Sequence, residues 1–149
     1  MTFKQKLHNK CLQLIIEKIN FLEANQLDLT QGAQNDSKSS AGDKHETARA
    51  MMQMEHEKIG KQLKESIHLK EELEKINPQI KTQKVTQGSL IKTNHGVLFL
   101  SIGLGKIEVD GISVMVLSAQ SPLGIKLLNL AEGDAVEMNG MNYAIEEIS

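Results

Sequence analysis

Asp43 and Glu46 stand three residues apart within the polar stretch 35–57, NDSKSSAGDKHETARAMMQMEHE, and are the side chains best suited to chemistry in this sequence. Two hard carboxylates on neighbouring turns suit a Mg²⁺ ion that keeps most of its water. The same spacing is that of a capping box, in which Asp43 accepts from an early backbone N–H and Glu46 reaches back to the cap. Ser39 and Ser40 are alternative caps. The roles are compatible, because a capping carboxylate retains free lone pairs.

Other motifs carry less. His45-Glu46-Thr47-Ala48-Arg49 begins like the zinc-protease helix HExxH but has Arg49 where the second histidine must stand. His8, His56, His68 and His95 show no metal-ligand spacing with a cysteine, so no intrinsic metal or cofactor is expected. Gly103-Leu104-Gly105 opens like a dinucleotide loop, but Glu108 stands where the third glycine belongs, and a hairpin turn is expected instead. No serine or cysteine has a nucleophile signature around it. Cys11, the single cysteine, falls on an apolar stripe and reads as a small buried hydrophobe. Met51, Met52 and Met54 read as core or as a contact surface.

The elements that must position Asp43 and Glu46 are two helices. Phe3, Leu7, Cys11, Leu14, Ile15, Ile19 and Leu22 have the spacing of one helix face, predicting a helix over about 2–33. Residues 34–42 are loop-like, rich in Asn, Asp, Ser and Gly. Ala48, Met52, Ile59, Leu69, Leu73 and Ile76 mark a second stripe that gives out at Asn77-Pro78, since proline cannot continue a helix. At about 1.5 Å per residue this helix is a rod of roughly 50 Å. Two such helices bury their stripes by folding back antiparallel, which makes the link the tip of a hairpin. Charges of alternating sign, from Glu55 to Lys75, supply neighbouring-turn pairs on a solvated face.

After the polar link 78–84 the pattern changes to short Val/Ile/Leu segments at 89–92, 97–102, 106–109, 112–118, 135–138 and 143–148. Asn94-His95-Gly96, Asp110-Gly111 and Asn139-Gly140 are turn signals between them. Ser121-Pro122 starts one short helix with Leu123, Leu127 and Leu128 on its apolar face. The expected fold is therefore α+β: a helical coiled-coil hairpin over 1–77, a linker over 78–84, and over 85–149 a small antiparallel sheet with one short helix.

Bulk properties narrow the function classes. The chain has 149 residues, 40% of them hydrophobic, and a net charge of -2. Its apolar runs fall far short of the ~18 residues of a spanning helix. The basic amino terminus lacks the apolar core and cleavage site of a signal peptide, so retention in the cytoplasm is expected; a monomer is expected as well. From Asp110 onward six acids face Lys126 alone, which disfavours direct phosphate binding by that half. Phe3, Phe21, Phe99 and Tyr143 are the only aromatics, so base stacking has little to work with.

Two stretches resemble one family. SPLGIKLLNLAEGDAVEMNGMNYAIEEI, at 121–148, resembles the carboxyl-terminal domain of the bacterial Gre transcript-cleavage and elongation factors, with its Ser-Pro helix start, Leu-rich helix, Gly-Asp turn and last strand. It departs at Lys126 and Asn129, where the family usually has small residues. Nucleoside diphosphate kinase regulators share that domain. Gly42-Asp43-Lys44-His45-Glu46-Thr47-Ala48 looks like the Gre tip motif, with Asp43 and Glu46 at the positions of the two family acids. Thr47 replaces the family's asparagine, and Arg49-Ala50 replaces an acid followed by an aromatic.

The resemblance implies an FKBP-like carboxyl-terminal domain and RNA polymerase as the partner. In that family the hairpin enters the polymerase's secondary channel, where the tip acids help hold a second Mg²⁺ that activates water against backtracked RNA. Two metals stabilise the attacking and leaving oxygens of such a displacement. Asp43 and Glu46 would then be metal ligands only within the complex. The chain alone would have no enzymatic activity, and nucleic acid would be met only through the elongation complex. The altered tip leaves open a channel-occupying regulator that does not stimulate cleavage; a kinase-regulator-like protein and an unrelated coiled-coil interaction protein are further alternatives, because fold does not fix function.

Overall fold

The computed structural model describes the backbone of residues 1–36 and 42–149, and the side chains of 1–31 and 46–149. Helix α1 spans Phe3–Asp36 and helix α2 spans Gly42–Glu74. The loop-like link between them, with the alternative caps Ser39 and Ser40, lies outside the described residues.

Helix α1 starts with a reciprocal cap. The Thr2 N–H donates to Gln5 Oε1 at 2.8 Å, and the Gln5 N–H donates to Thr2 Oγ1 at 3.2 Å. Of the expected stripe, Leu7, Cys11, Ile15, Ile19 and Leu22 are buried, while Phe3 and Leu14 are half-buried. On α2 the covered positions include Met52, His56, Ile59, Leu63, Ser66, Lys70 and Leu73, with steps of four and three alternating, and Ala48, Gly60, Leu69 and Glu72 beside them are half-buried. That is the heptad seam of a coiled coil. The helices run antiparallel: His8 bonds to Leu73, and a Cβ on Gly60 would lie 3.7 Å from Gln26 Nε2.

The six strands are β1 (Leu90–Thr93), β2 (Gly96–Ser101), β3 (Gly105–Val109), β4 (Ile112–Ser118), β5 (Ala135–Met138) and β6 (Met141–Ile148), with helix α3 (Pro122–Leu127) between β4 and β5. They form one sheet in the order β3-β4-β2-β1-β6-β5. Two of the expected turns are tight two-residue hairpins with both central residues at positive φ: Asp110 (52°) with Gly111 (76°), and Asn139 (52°) with Gly140 (79°).

The sheet departs from the expected antiparallel pattern in one place, because β2 and β4 pair in parallel, Val97 opposite Val114 through Ser101 opposite Ser118. This also corrects the reading of Gly103-Leu104-Gly105 as a hairpin turn. Strand β3 does not pair with β2 but lies on the far side of β4. The segment is a crossover, held where the Leu104 N–H donates to the Val116 carbonyl at 3.2 Å.

Both faces of the sheet are covered over β2, which is why that strand reads as an apolar run rather than an alternation. Ile91, Leu98, Leu100, Ile145 and Ile148 point to one face and pack with Val85, Leu117 and Leu127 of α3. Phe99, between Leu98 and Leu100, points to the other face and is fully buried. Burying one such side chain contributes roughly 1.5–3 kcal/mol. Phe3 of α1 lines a groove on that face with Leu90, Val97 and Ile112.

The chain divides into two compact units, one of Met1–Leu12 with Glu71–Ser149 and the other of Gln13–Lys70. The division passes through both long helices, whereas 78–84 lies wholly inside the first unit. No helix among the described residues is long and apolar enough to cross a membrane.

Candidate functional site

Helix α2 begins at Gly42, one residue ahead of the expected cap, so Asp43 is its second residue and Glu46 its fifth. Both acids therefore belong to its opening turns, where the positive end of the helix dipole favours negative charge. Positions three apart on a helix are neighbours on one face. The side chain of Asp43 lies outside the described residues, and with it the capping contact proposed for it. Glu46 is exposed, as are Thr47, Arg49 and Ala50, while Ala48 is half-buried on the seam side.

Among the described residues no group of three or more His, Cys, Asp or Glu could hold a metal ion. Asp43 and Glu46 by themselves would offer two ligands, so a Mg²⁺ held there would need its remaining partners from water or from another molecule. Met51 and Met54 are exposed and Met52 lies on the seam, so the methionine cluster divides between surface and core.

The remaining sequence candidates are structural. Cys11 is fully buried and unpaired, and burial pushes its thiol up to about 12, which keeps it a neutral, unreactive core group. Tyr143 meets His95 edge-on, with ring centroids 5.4 Å apart. Ser121 caps α3 as its spacing predicts, accepting from the Gly124 N–H at 3.1 Å, with Pro122 in the first helical position.

Three features escaped the sequence reading. Gly124 is one, since a Cβ there would overlap the Ser118 carbonyl and lie 2.9 Å from Ser121 Oγ. Its signal was the bare Ser-Pro-Leu-Gly string, which does not reveal what the glycine approaches. Lys4 and His8 are the others: both are buried although polar. Their signal was helical spacing with Cys11 and Ile15, which an apolar-only template passes over.

The chain matches no protein-family model, no curated protein and no solved structure.

Proposed function

We propose that the chain is a Gre-type polymerase-binding factor that presents the opening turns of α2 to the active site of RNA polymerase through its secondary channel. The observation that carries this reading is the order of parts: an antiparallel helical hairpin bearing Asp43 and Glu46 where its second helix begins, followed by a mixed sheet with a Ser121-Pro122 helix. Asp43 and Glu46 would share a Mg²⁺ with acids of the polymerase, and that ion would activate water against backtracked RNA. The factor would act in the cytoplasm as a monomer, touch nucleic acid only through the elongation complex, and have no activity alone. Co-purification of polymerase with the full chain tests the partnership. Polymerase must be retained by wild type and by a variant altered only at Asp43, since the proposed role of that acid is chemical.

A second reading is favoured by exposed Arg49, which stands where the related tip has an acid. A cation there weakens the negative field that draws in Mg²⁺. The chain would then occupy the channel without stimulating cleavage. Arg49→Glu separates the two, because a gain of cleavage in that variant marks the native tip as a blocker.

A further inference from the structure

Lys4 is the only Lys, Arg, Asp or Glu buried among the described residues, at 6% exposure. Its Nζ donates one hydrogen bond, to the Ile80 carbonyl at 2.8 Å. The ion pairs among the described residues are Lys6–Asp110, Lys75–Glu72 and Lys92–Glu147, and none includes Lys4. An ammonium has three N–H donors, and burying one with a single neutral acceptor carries an uncompensated desolvation cost. The charge lacks its counter-charge.

Lys4 faces a cleft of about 340 Å³ whose walls combine the apolar Ile76 and Ile80 with Lys75, Asn77, Thr82, Thr86 and Gln87. Among the polar groups around it, the Asn77 amide and the Thr86 hydroxyl can still donate to a bound anion. Asn77 spends its Oδ1 on the Gln79 N–H at 3.0 Å, which leaves its amide N–H₂ available. Glu72 takes the Lys75 ammonium at 3.2 Å and the Gln87 amide at 3.1 Å, on its two oxygens. Those contacts cancel one cation and leave the cleft with the net positive charge of Lys4. Burial draws the Lys4 pKa below its ordinary value, because desolvation disfavours the ammonium form.

We infer that this cleft binds the phosphate group of a small molecule, with Lys4 as the charge that receives it. Lysine is a compact cation with three rotatable donors and serves phosphate as a point charge. No arginine lines the cleft, so an anion there would meet the point charge of Lys4 rather than the planar fork that grips carboxylate and phosphate alike. Thr86 and Asn77 supply neutral donors for the remaining oxygens. No aromatic lines it either, which points to a small phosphate or phosphate ester rather than to a stacked nucleotide base.

The test titrates the full-length chain with inorganic phosphate, glycerol 3-phosphate and acetate at constant ionic strength, following the Lys4 side-chain NMR resonances and heat release. Saturable binding of a phosphate probe that shifts the Lys4 ε-methylene signal is expected, and the tighter of the two phosphates identifies the free ion or the ester as the source. Lys4→Met keeps the apolar stem and should weaken binding roughly tenfold or more. Should that variant fail to fold, Thr86→Val removes one neutral donor and should weaken binding severalfold. Non-saturating shifts, acetate binding as tight as phosphate, or unchanged affinity in the folded variants would overturn the assignment.

Discussion

His8 Nε2 donates to the carbonyl oxygen of Leu73 at 2.7 Å, a buried bond that joins the first turns of α1 to the last turn of α2. A carbonyl only accepts, so Nε2 carries the proton. The bond sits among Leu7, Cys11 and Leu73, all without solvent exposure. It therefore helps fix which turns of the two helices meet, as a polar group among apolar neighbours on a helix seam does.

Replacing His8 by Leu should cost about 0.5–1.5 kcal/mol of unfolding free energy, the range for one intramolecular hydrogen bond, because the Leu73 carbonyl still accepts from the Ile76 N–H at 3.1 Å. His8→Gln, whose amide can still donate, should recover part of that loss. Urea denaturation of the three proteins measures both. Equal stability of wild type and His8→Leu would show that the bond contributes nothing.

A second prediction concerns α3. Gly124→Ala places a methyl group against the Ser118 carbonyl and crowds the Ser121 cap, so it should destabilise the protein by about 1–3 kcal/mol. Ser121→Ala should cost about 0.5–2 kcal/mol through the cap alone. The double variant should lose less than the sum, because both changes disturb one contact. Thermal melts of the single and double variants check this.

Cys11 gives a pH prediction. Its thiol ordinarily titrates at 9.0 and is raised to about 12 by burial in the folded protein. Above pH 9 the unfolded chain releases a proton that the native state retains, so stability is full below that pH and falls as pH rises from 9 towards 12. Cys11→Ala should flatten this part of the stability profile in urea titrations at stepped pH. Thiol reagents should label Cys11 only when denaturant is added.

How much of this was legible follows from which interactions are local. The strands and the Asp110-Gly111 and Asn139-Gly140 turns could be read because short Val/Ile/Leu runs and positive-φ turn residues act over a few positions. Ser121 and Pro122 were legible for the same reason. The parallel pairing of β2 with β4 was not, since Gly103 and Gly105 describe a bend without saying which strand comes next to it. The phosphate cleft was out of reach too: Lys4 comes to line one cleft with Asn77 and Thr86 only after the chain has folded, and Lys4 by itself looks like any surface cation. Asp43 and Glu46 were legible as a pair, because an i, i+3 spacing is local, but the helix start at Gly42 places both inside its opening turns.

The central claim rests on Asp43 and is tested most directly by cleavage of backtracked RNA in a stalled elongation complex, with wild type, Asp43→Asn and Asp43→Ala compared at equal polymerase occupancy. The amide of Asn still caps or flanks the helix start but carries no charge for Mg²⁺. Wild type should stimulate cleavage, and both variants should lose it steeply while still binding polymerase. An Asn variant as active as wild type would contradict the metal role of Asp43, and a wild type that binds without stimulating cleavage would contradict the cleavage function itself.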